Sequence, residues 1–466
     1  MTRVVPEQRS EIMGILFPTI KSPTCISVEL TTACNQKCRH CYNFWRHSSE
    51  PDAVIDIAMA DKLIDDVVEN EVFQVILTGG ECLLNGRVLE HFMRRLTENG
   101  VAITMNSNLL NATPEKMRRF ADYGLPHVLT SLNCCHAEIN DMMVSRKGAL
   151  ERIVAGIRAT VDAGVRVSSN MIVTQRNKDY VYETGKFLHE LGVTNFFTTR
   201  MVPSHCDDSD LEKELQLTPE EQKRLILDES IRVKEDTGIH IGSLIQYPVC
   251  FLKDVVKYRD YVGRGCQAGR KLLTINANGD THACVHESRK YGNALTDGIR
   301  ACWENMRMWR DDSLIPGPCR ACAWLPKCEG GCRTYTRDLA DMDLLAPGPG
   351  GLPSPEVIRS PFLEMAQVKT FVAPARLRWR EEDGFHLVSV RGASVHTIES
   401  GIARFLERRQ RENAPFTLED FPGTAEDLAA LLEKWVVETT DGATSEPVSG
   451  HITGIADTGE RAAAAK

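Results

Sequence analysis

Cys34, Cys38 and Cys41 stand in a C-x3-C-x2-C pattern that puts three thiolates on one loop. Three cysteines suit a 4Fe–4S cluster in which one iron has no protein ligand, and that open iron can hold a substrate or cofactor. A zinc site is the plainer alternative, but zinc favours paired C-x2-C knuckles with a fourth ligand close by, and none follows here. A second concentration begins at Cys266, which is followed by twelve residues, Gly279, four residues and Cys284; later comes Cys319-x2-Cys322-x5-Cys328-x3-Cys332. A zinc ribbon on Cys319, Cys322, Cys328 and Cys332 is chemically allowed in this second segment.

The first group of thiols interrupts a regular alternation of strand-like and helix-like runs. Between residue 26 and about residue 236 the runs ISVELTT, VFQVILTGG, AITMNSN, HVLTSL, RVSSNMIV and NFFTTRMV are separated by helical stretches. Such βα units imply an α/β fold with a parallel sheet, because parallel strands need long crossover connections. Six units suit a partial (β/α)6 TIM-like barrel better than a full eight. After about residue 240 Gly, Pro and Cys become frequent, and long helical patterns give way to short pieces.

The expected organisation is an N-terminal extension over 1–22, the barrel over 23–240, a cysteine-rich domain over 241–343 and a Pro/Gly-rich linker over 344–374. A small unit over 375–440 and a disordered tail over 441–466 complete it. In the small unit RLRWREEDGFHLVSV reads as a hairpin turning at Asp383-Gly384, followed by helical TIESGIARFLERRQ and TAEDLAALLEKWVVET.

The cysteine loop directly after the first strand resembles the radical S-adenosylmethionine superfamily, whose defining loop has this spacing in this place. Thr78-Gly79-Gly80-Glu81 ends the second strand and resembles the family's motif that hydrogen-bonds the methionine amino group. Asn106 in MNSN resembles the family's Thr-Asn-Gly, from which Met105 and Ser107 depart. Ser131 in LTSLNCC matches a Ser-Leu-Asp-Gly segment that contacts the cofactor, with Asn133 in place of the Asp. Arg146 and Asn170 fall where further cofactor contacts are placed; a solvated arginine and a strand-end asparagine are the plain alternatives. The resemblance implies reductive cleavage of S-adenosylmethionine to methionine and a 5'-deoxyadenosyl radical that abstracts a substrate hydrogen. A flavodoxin or ferredoxin electron donor is implied with it.

The later cysteines are similar to the SPASM domain, which holds two auxiliary 4Fe–4S clusters, making three in all. By that resemblance the first auxiliary cluster uses Cys266, Cys284 and Cys332, with Cys250 as fourth ligand, and the second uses Cys319, Cys322 and Cys328. No cysteine follows Cys332. The second cluster is therefore expected to lack its usual last cysteine, to have an open iron or a ligand among Asp338, Asp341 and Asp343, and to be the more labile. Cys25, Cys82, Cys134, Cys135, Cys206 and Cys302 fit no ligand spacing and read as ordinary thiols.

Radical enzymes with SPASM domains mostly modify peptides, which implies a precursor peptide as partner and an oxidative thioether or carbon–carbon crosslink as product. The small C-terminal unit resembles winged-helix modules that bind leader peptides. A small-molecule oxidoreductase or epimerase is the alternative. Sulfatase-type maturation recedes because Val285 stands where those members carry an aspartate.

A formal charge of -9 gives no electrostatic reason to expect nucleic acid or an anionic membrane as partner. No apolar run reaches the roughly 18 residues of a membrane span, so the expected address is cytoplasmic. In that reducing compartment the 16 cysteines argue for metal ligands over disulfides.

Overall fold

The computed structural model describes residues 19–43, 51–202, 213–352, 362–390 and 394–440. The tail from Asp441 onward, most of the expected N-terminal extension and Cys206 lie outside the described residues. The chain forms two compact units, Met1–Pro353 and Ser354–Lys466.

The first unit is built on β1 (Cys25–Glu29), β2 (Gln74–Thr78), β3 (Ala102–Asn106), β4 (His127–Ser131), β5 (Arg166–Val173) and β6 (Asn195–Arg200). These six follow the six strand-like runs of the sequence and pair in parallel with their neighbours. Three further strands join the same sheet: β7 (His240–Gly242), β8 (Leu272–Ile275) and β9 (Thr281–His282). The order is β7-β6-β5-β4-β3-β2-β1-β8-β9, so the sheet is an open barrel wall with β7 and β9 outermost.

Helices cover one face of this parallel sheet, which is apolar and buried, while the other face carries Ser27, Gln74, Thr104, Asn106, Ser131 and Asn170. Ile26, Val28, Val75, Leu77, Met105, Val128, Val167 and Phe196 are all buried. The crossover helices follow from their patterning and caps. In α1 (Ile57–Glu69) Ala60, Leu63, Ile64 and Val67 form one buried stripe, and the Asp56 carboxylate caps the helix by accepting from the Met59 amide at 2.8 Å. Burying each such Leu or Ile stabilises the fold by about 1.5–3 kcal/mol. The other helices that bear on the site are α2 (Gly86–Glu98), α3 (Pro114–Asp122), α4 (Ala137–Met143), α5 (Ala149–Asp162), α6 (Val181–Glu190), α7 (Glu229–Thr237) and α8 (Val249–Leu252).

The cysteine-rich segment is stitched into the barrel rather than appended to it. β8 lies parallel to β1, with Cys25 opposite Leu272 and Val28 opposite Ile275. β9 returns antiparallel through a tight turn at Asn276–Asp280. Gly279, the glycine of the C-x12-G-x4-C spacing, sits in that turn at φ +86°, where a Cβ would lie 2.7 Å from Asn293 Oδ1 and from Leu295. The Asp66 carboxylate of α1 accepts from the Ile299 amide at 2.6 Å, at the start of α9 (Ile299–Asn305). The Trp303 indole donates to the Ile20 carbonyl at 3.0 Å.

The second unit opens with α10 (Leu363–Val368) and β10 (Phe371–Val372). β11 (Arg378–Glu381), β12 (Phe385–Val390) and β13 (Ser394–Glu399) form an antiparallel sheet in that order, with the first hairpin turning at Glu382–Gly384 as its Asp-Gly pair predicts. α11 (Ser400–Glu412) and α12 (Ala425–Glu433) follow, and β14 (Glu438–Thr439) pairs back onto β10. Two segments differ from the sequence reading. The second helix, expected to run to Thr439, ends at Glu433, and Glu438–Thr439 are strand. Thr397–Glu399 are strand, because Val395, Thr397 and Ile398 suit a pleated surface, and α11 begins at Ser400, where the Glu399 carboxylate caps the Gly401 and Ile402 amides. Phe371, Phe405, Phe416, Phe421, Leu406 and Leu428 lie in one buried core.

Candidate active site: a clamped thiol loop and two further thiol groups

The C-x3-C-x2-C loop leaves the carboxyl end of β1 and is fastened from three sides. The Lys37 amide donates to the Val144 carbonyl at 3.1 Å and the Arg39 amide to that of Met143 at 3.2 Å, docking the loop on the end of α4. Arg146 Nη1 donates to the Asn35 carbonyl at 2.7 Å, and Asn108 Nδ2 to the Asn35 side-chain oxygen at 2.7 Å. Within the loop the Gln36 amide donates to Cys34 Sγ and the Cys38 thiol to Gln36 Oε1, at 3.5 and 3.6 Å. Asn35 Nδ2, His40 Nδ1 and Asn43 Oδ1 are buried here without hydrogen-bond partners, which fits a loop shaped around a further group.

Gly79, Gly80 and Glu81 lie against the entry to this loop. A Cβ on Gly80 would fall 2.3 Å from the Ala33 carbonyl oxygen, and one on Gly79 would fall 2.6 Å from that of Thr31. Their lack of side chains lets the second strand's end touch the first strand's loop, through Gly80 N to Thr31 O at 2.6 Å and Glu81 N to Ala33 O at 2.9 Å. The Glu81 carboxylate is buried and accepts from Ser107 Oγ at 2.7 Å, the Asn108 amide at 2.8 Å and the Leu83 amide at 3.0 Å. Burial raises its pKa, and those donors pull against the shift.

Asn106 closes β3, and its carbonyl accepts from the Cys82 thiol at 3.3 Å. Ser131 closes β4 in register with Asn170. Asn170 is not at a strand end: it lies inside β5, where its side-chain oxygen accepts from Thr199 Oγ1 at 2.6 Å. Asn133, in place of the usual Asp, accepts from the Ile172 amide at 3.2 Å and is buried. Arg146 is not a solvated arginine, since it holds the thiol loop. Sequence reasoning missed Asn35, Ser107 and Asn108, the residues that couple loop, Glu81 and β3. The second Asn of MNSN was the available signal.

The later cysteines fall into two groups. Cys284 is in the electrostatic range of Cys266 and Cys332, and burial pushes Cys266 up to about 11 with Cys332 adding to it. Cys250 feels Cys322, while Cys319 and Cys328 both feel Cys250. The Val249 amide, first residue of α8, donates to Cys328 Sγ at 3.4 Å, so the helix that carries Cys250 docks on the segment that carries Cys328. Among the described residues, the Cys, His, Asp and Glu ligand atoms that come within 4.8 Å of one another in threes are those of Cys135, His136 and Glu183. Tetrahedral zinc with bonds of about 2.3 Å needs sulfurs roughly 3.8 Å apart. Among the described residues no three thiols of the cysteine-rich segment come that close together. Buried thiols with raised pKa values give up their protons when a metal takes the charge.

Tyr42 connects the first thiol loop to this segment. Its ring lies 4.4 Å from that of His286, and burial raises its pKa, with Glu29, Cys41 and Cys284 adding to the shift. His286 Nδ1 is 3.6 Å from Cys284 Sγ. Cys25, Cys82 and Cys302 stand outside both groups. Cys135 sits beside an exposed His136–Glu183 pair, and its hydrogen bond with Cys134 holds the Cys135 thiol below its ordinary range while raising that of Cys134.

The two regions correspond to two known families: residues 28–188 match the radical SAM superfamily, and residues 266–323 match the SPASM iron–sulfur cluster-binding domain. An AdoMet-dependent heme synthase of Methanosarcina barkeri is 27% identical over 327 residues, 67% of this chain and 91% of that one. Mycofactocin maturase MftC of Mycolicibacterium smegmatis is 27% identical over 324 residues, 67% of this chain and 79% of its own. SuiB of Streptococcus suis bound to its precursor peptide SuiA shares the fold with a TM-score of 0.54 at 15% identity, over 73% of this chain and 78% of that one. No helix among the described residues is long and apolar enough to cross a membrane. With the thiol loop inside the first match and most of the later cysteines inside the second, the chain is a radical SAM enzyme carrying a SPASM iron–sulfur domain.

Proposed function

We propose that this enzyme modifies a ribosomally made precursor peptide, through an oxidative thioether or carbon–carbon crosslink, with three 4Fe–4S clusters and a flavodoxin or ferredoxin as electron donor. The observation that carries the reading is the thiol loop clamped at the carboxyl ends of β1, β2 and β3, continuous with a cysteine-rich segment in a chain similar to a peptide maturase across both. Cys34, Cys38 and Cys41 hold the catalytic cluster. When bound, that cluster supplies the electron that cleaves S-adenosylmethionine into methionine and the 5'-deoxyadenosyl radical, which takes a hydrogen from the substrate.

The chain's own residues position and shelter that chemistry. Arg146 and Asn108 fix the loop, and the backbone of Gly79–Gly80 together with Glu81 offers polar groups to the methionine end of the cofactor. Asn106 and Ser131 at strand ends and Asn170 inside β5 present polar groups on one face of the sheet, and the barrel wall behind them shelters a reactive species from water. The reducing cytoplasm keeps the thiols available for iron. Residues 375–440 bind the leader of the peptide, which adds to an outer strand of the β11-β12-β13 sheet; SuiB's precursor-peptide complex and the antiparallel sheet support this.

Triple replacement of Cys34, Cys38 and Cys41 by Ala tests the cofactor site. Reconstituted anaerobically and given dithionite, the variant should form no 5'-deoxyadenosine, and continued formation refutes the assignment. Incubating the wild-type enzyme with short peptides encoded beside its gene should yield a product lighter by a hydrogen pair. The similarity to heme synthase favours a second reading, a small-molecule oxidoreductase or epimerase. Turnover of a small molecule with every such peptide unchanged would select it.

A further inference from the structure

We infer that Cys250 is the fourth thiolate of the second auxiliary site, with Cys319, Cys322 and Cys328, and that Cys266, Cys284 and Cys332 form a three-thiolate site with an open iron. This rests on the reading that the cysteine-rich segment holds two auxiliary clusters. A missing last cysteine is thus replaced by an earlier one, and the open position moves from the second cluster to the first.

The placement of α8 carries the inference. Its first amide, on Val249, points at Cys328 Sγ from 3.4 Å, and Gln246 Nε2 donates to the Cys328 carbonyl at 3.3 Å. Two contacts, one on each side of Pro248, therefore dock this short helix end-on against the turn that carries Cys328. Cys250 is the helix's second residue and stands in the electrostatic range of Cys322, Cys319 and Cys328. The segment after Cys266 is fastened beside the one before Cys284, with the Gly269 amide donating to the Ala283 carbonyl at 3.3 Å.

The carboxylates that could have replaced a cysteine are otherwise engaged or remote. Asp343 pairs with buried Arg200, with Oδ1 3.0 Å from Nη1, and also accepts from the Cys332 amide at 2.8 Å and the Leu345 amide at 3.0 Å. Four bonds in all, one of them from Arg200 Nη2, occupy its two oxygens. Asp338 and Asp341 lie exposed on a surface turn. Cys250 is half-buried, and its thiol gives up a proton to bind iron.

The order in which cysteines are uncovered tests this on the natural sequence. Anaerobically reconstituted full-length enzyme is exposed to EDTA, pulsed with iodoacetamide at intervals, and alkylation is read at each cysteine by mass spectrometry. An open iron is the first to leave, so Cys266, Cys284 and Cys332 should lose protection first and together, and Cys250 later in step with Cys319, Cys322 and Cys328. Cys250 alkylated at once in fully loaded enzyme, or released together with Cys266, overturns the ligand assignment. Iron content in the Cys34, Cys38, Cys41→Ala background separates that failure from failure of the underlying reading: about eight irons supports two auxiliary clusters, and about four overturns them. Cys250→Ser in the same background, oxidised mildly with ferricyanide, should raise the 3Fe–4S EPR signal from one site per chain to two. An unchanged signal with unchanged iron overturns the proposal.

Discussion

Arg200 and Asp343 are buried to within 1% exposure and pair where β6 ends. Tyr335 and Tyr247 flank the guanidinium, their ring centres 4.5 and 5.3 Å from it. Asp343→Ala leaves that charge without its partner, which should cost about 3–5 kcal/mol by denaturant unfolding of the reconstituted enzyme. Arg200→Met with Asp343→Leu together should cost less than Asp343→Ala alone, since the charge leaves with its partner and what remains is the loss of an acceptor for the Cys332 and Leu345 amides. Glu81→Gln is a second residue-scale test: one amide edge then faces a donor, so Ser107 Oγ or the Asn108 amide loses its acceptor. Destabilisation of about 1–3 kcal/mol is expected, with weaker S-adenosylmethionine binding by equilibrium dialysis. The thiols at Cys34, Cys38 and Cys41 were legible because three ligands on one short loop is a local pattern. Asn35 and Asn108 were not, because a clamp between residues 73 positions apart has no signature in spacing.

The Gly80 contact governs how β2's end meets the thiol loop. Gly80→Ala puts a methyl group 2.3 Å from the Ala33 oxygen and 2.5 Å from that of Thr32, both backbone atoms with little freedom. The loop must shift, at a cost of about 1–3 kcal/mol, and the variant should keep its auxiliary iron while losing catalytic-cluster iron and 5'-deoxyadenosine formation. Retention of full cofactor cleavage would show that this close approach does not shape the site. The six barrel strands were readable because short β-rich runs alternate regularly with amphipathic helices. β7 and β8 were not, since strands of three and four residues carry no periodicity, and β8 finds its partner nearly 250 residues upstream.

The boundary between the two compact units falls after Pro353 in the sequence, so the chain can be divided there with each core intact. Enzyme ending at Pro353 should fold, keep its clusters and cleave S-adenosylmethionine while its apparent Km for the peptide rises sharply. Unchanged peptide affinity would remove leader binding from the second unit and strengthen the small-molecule reading. A cut before Leu272 is a different matter, because β8 covers the outer side of β1. As the polypeptide leaves the ribosome, all of β1 to β7 emerges while that side of β1 still has an open row of backbone donors and acceptors. Such an edge templates pairing between molecules. Nascent chains therefore pass through an interval of exposure that ends only when residue 275 is released, and slow translation between β7 and β8 should lower the yield of soluble enzyme more than the same delay placed after β9.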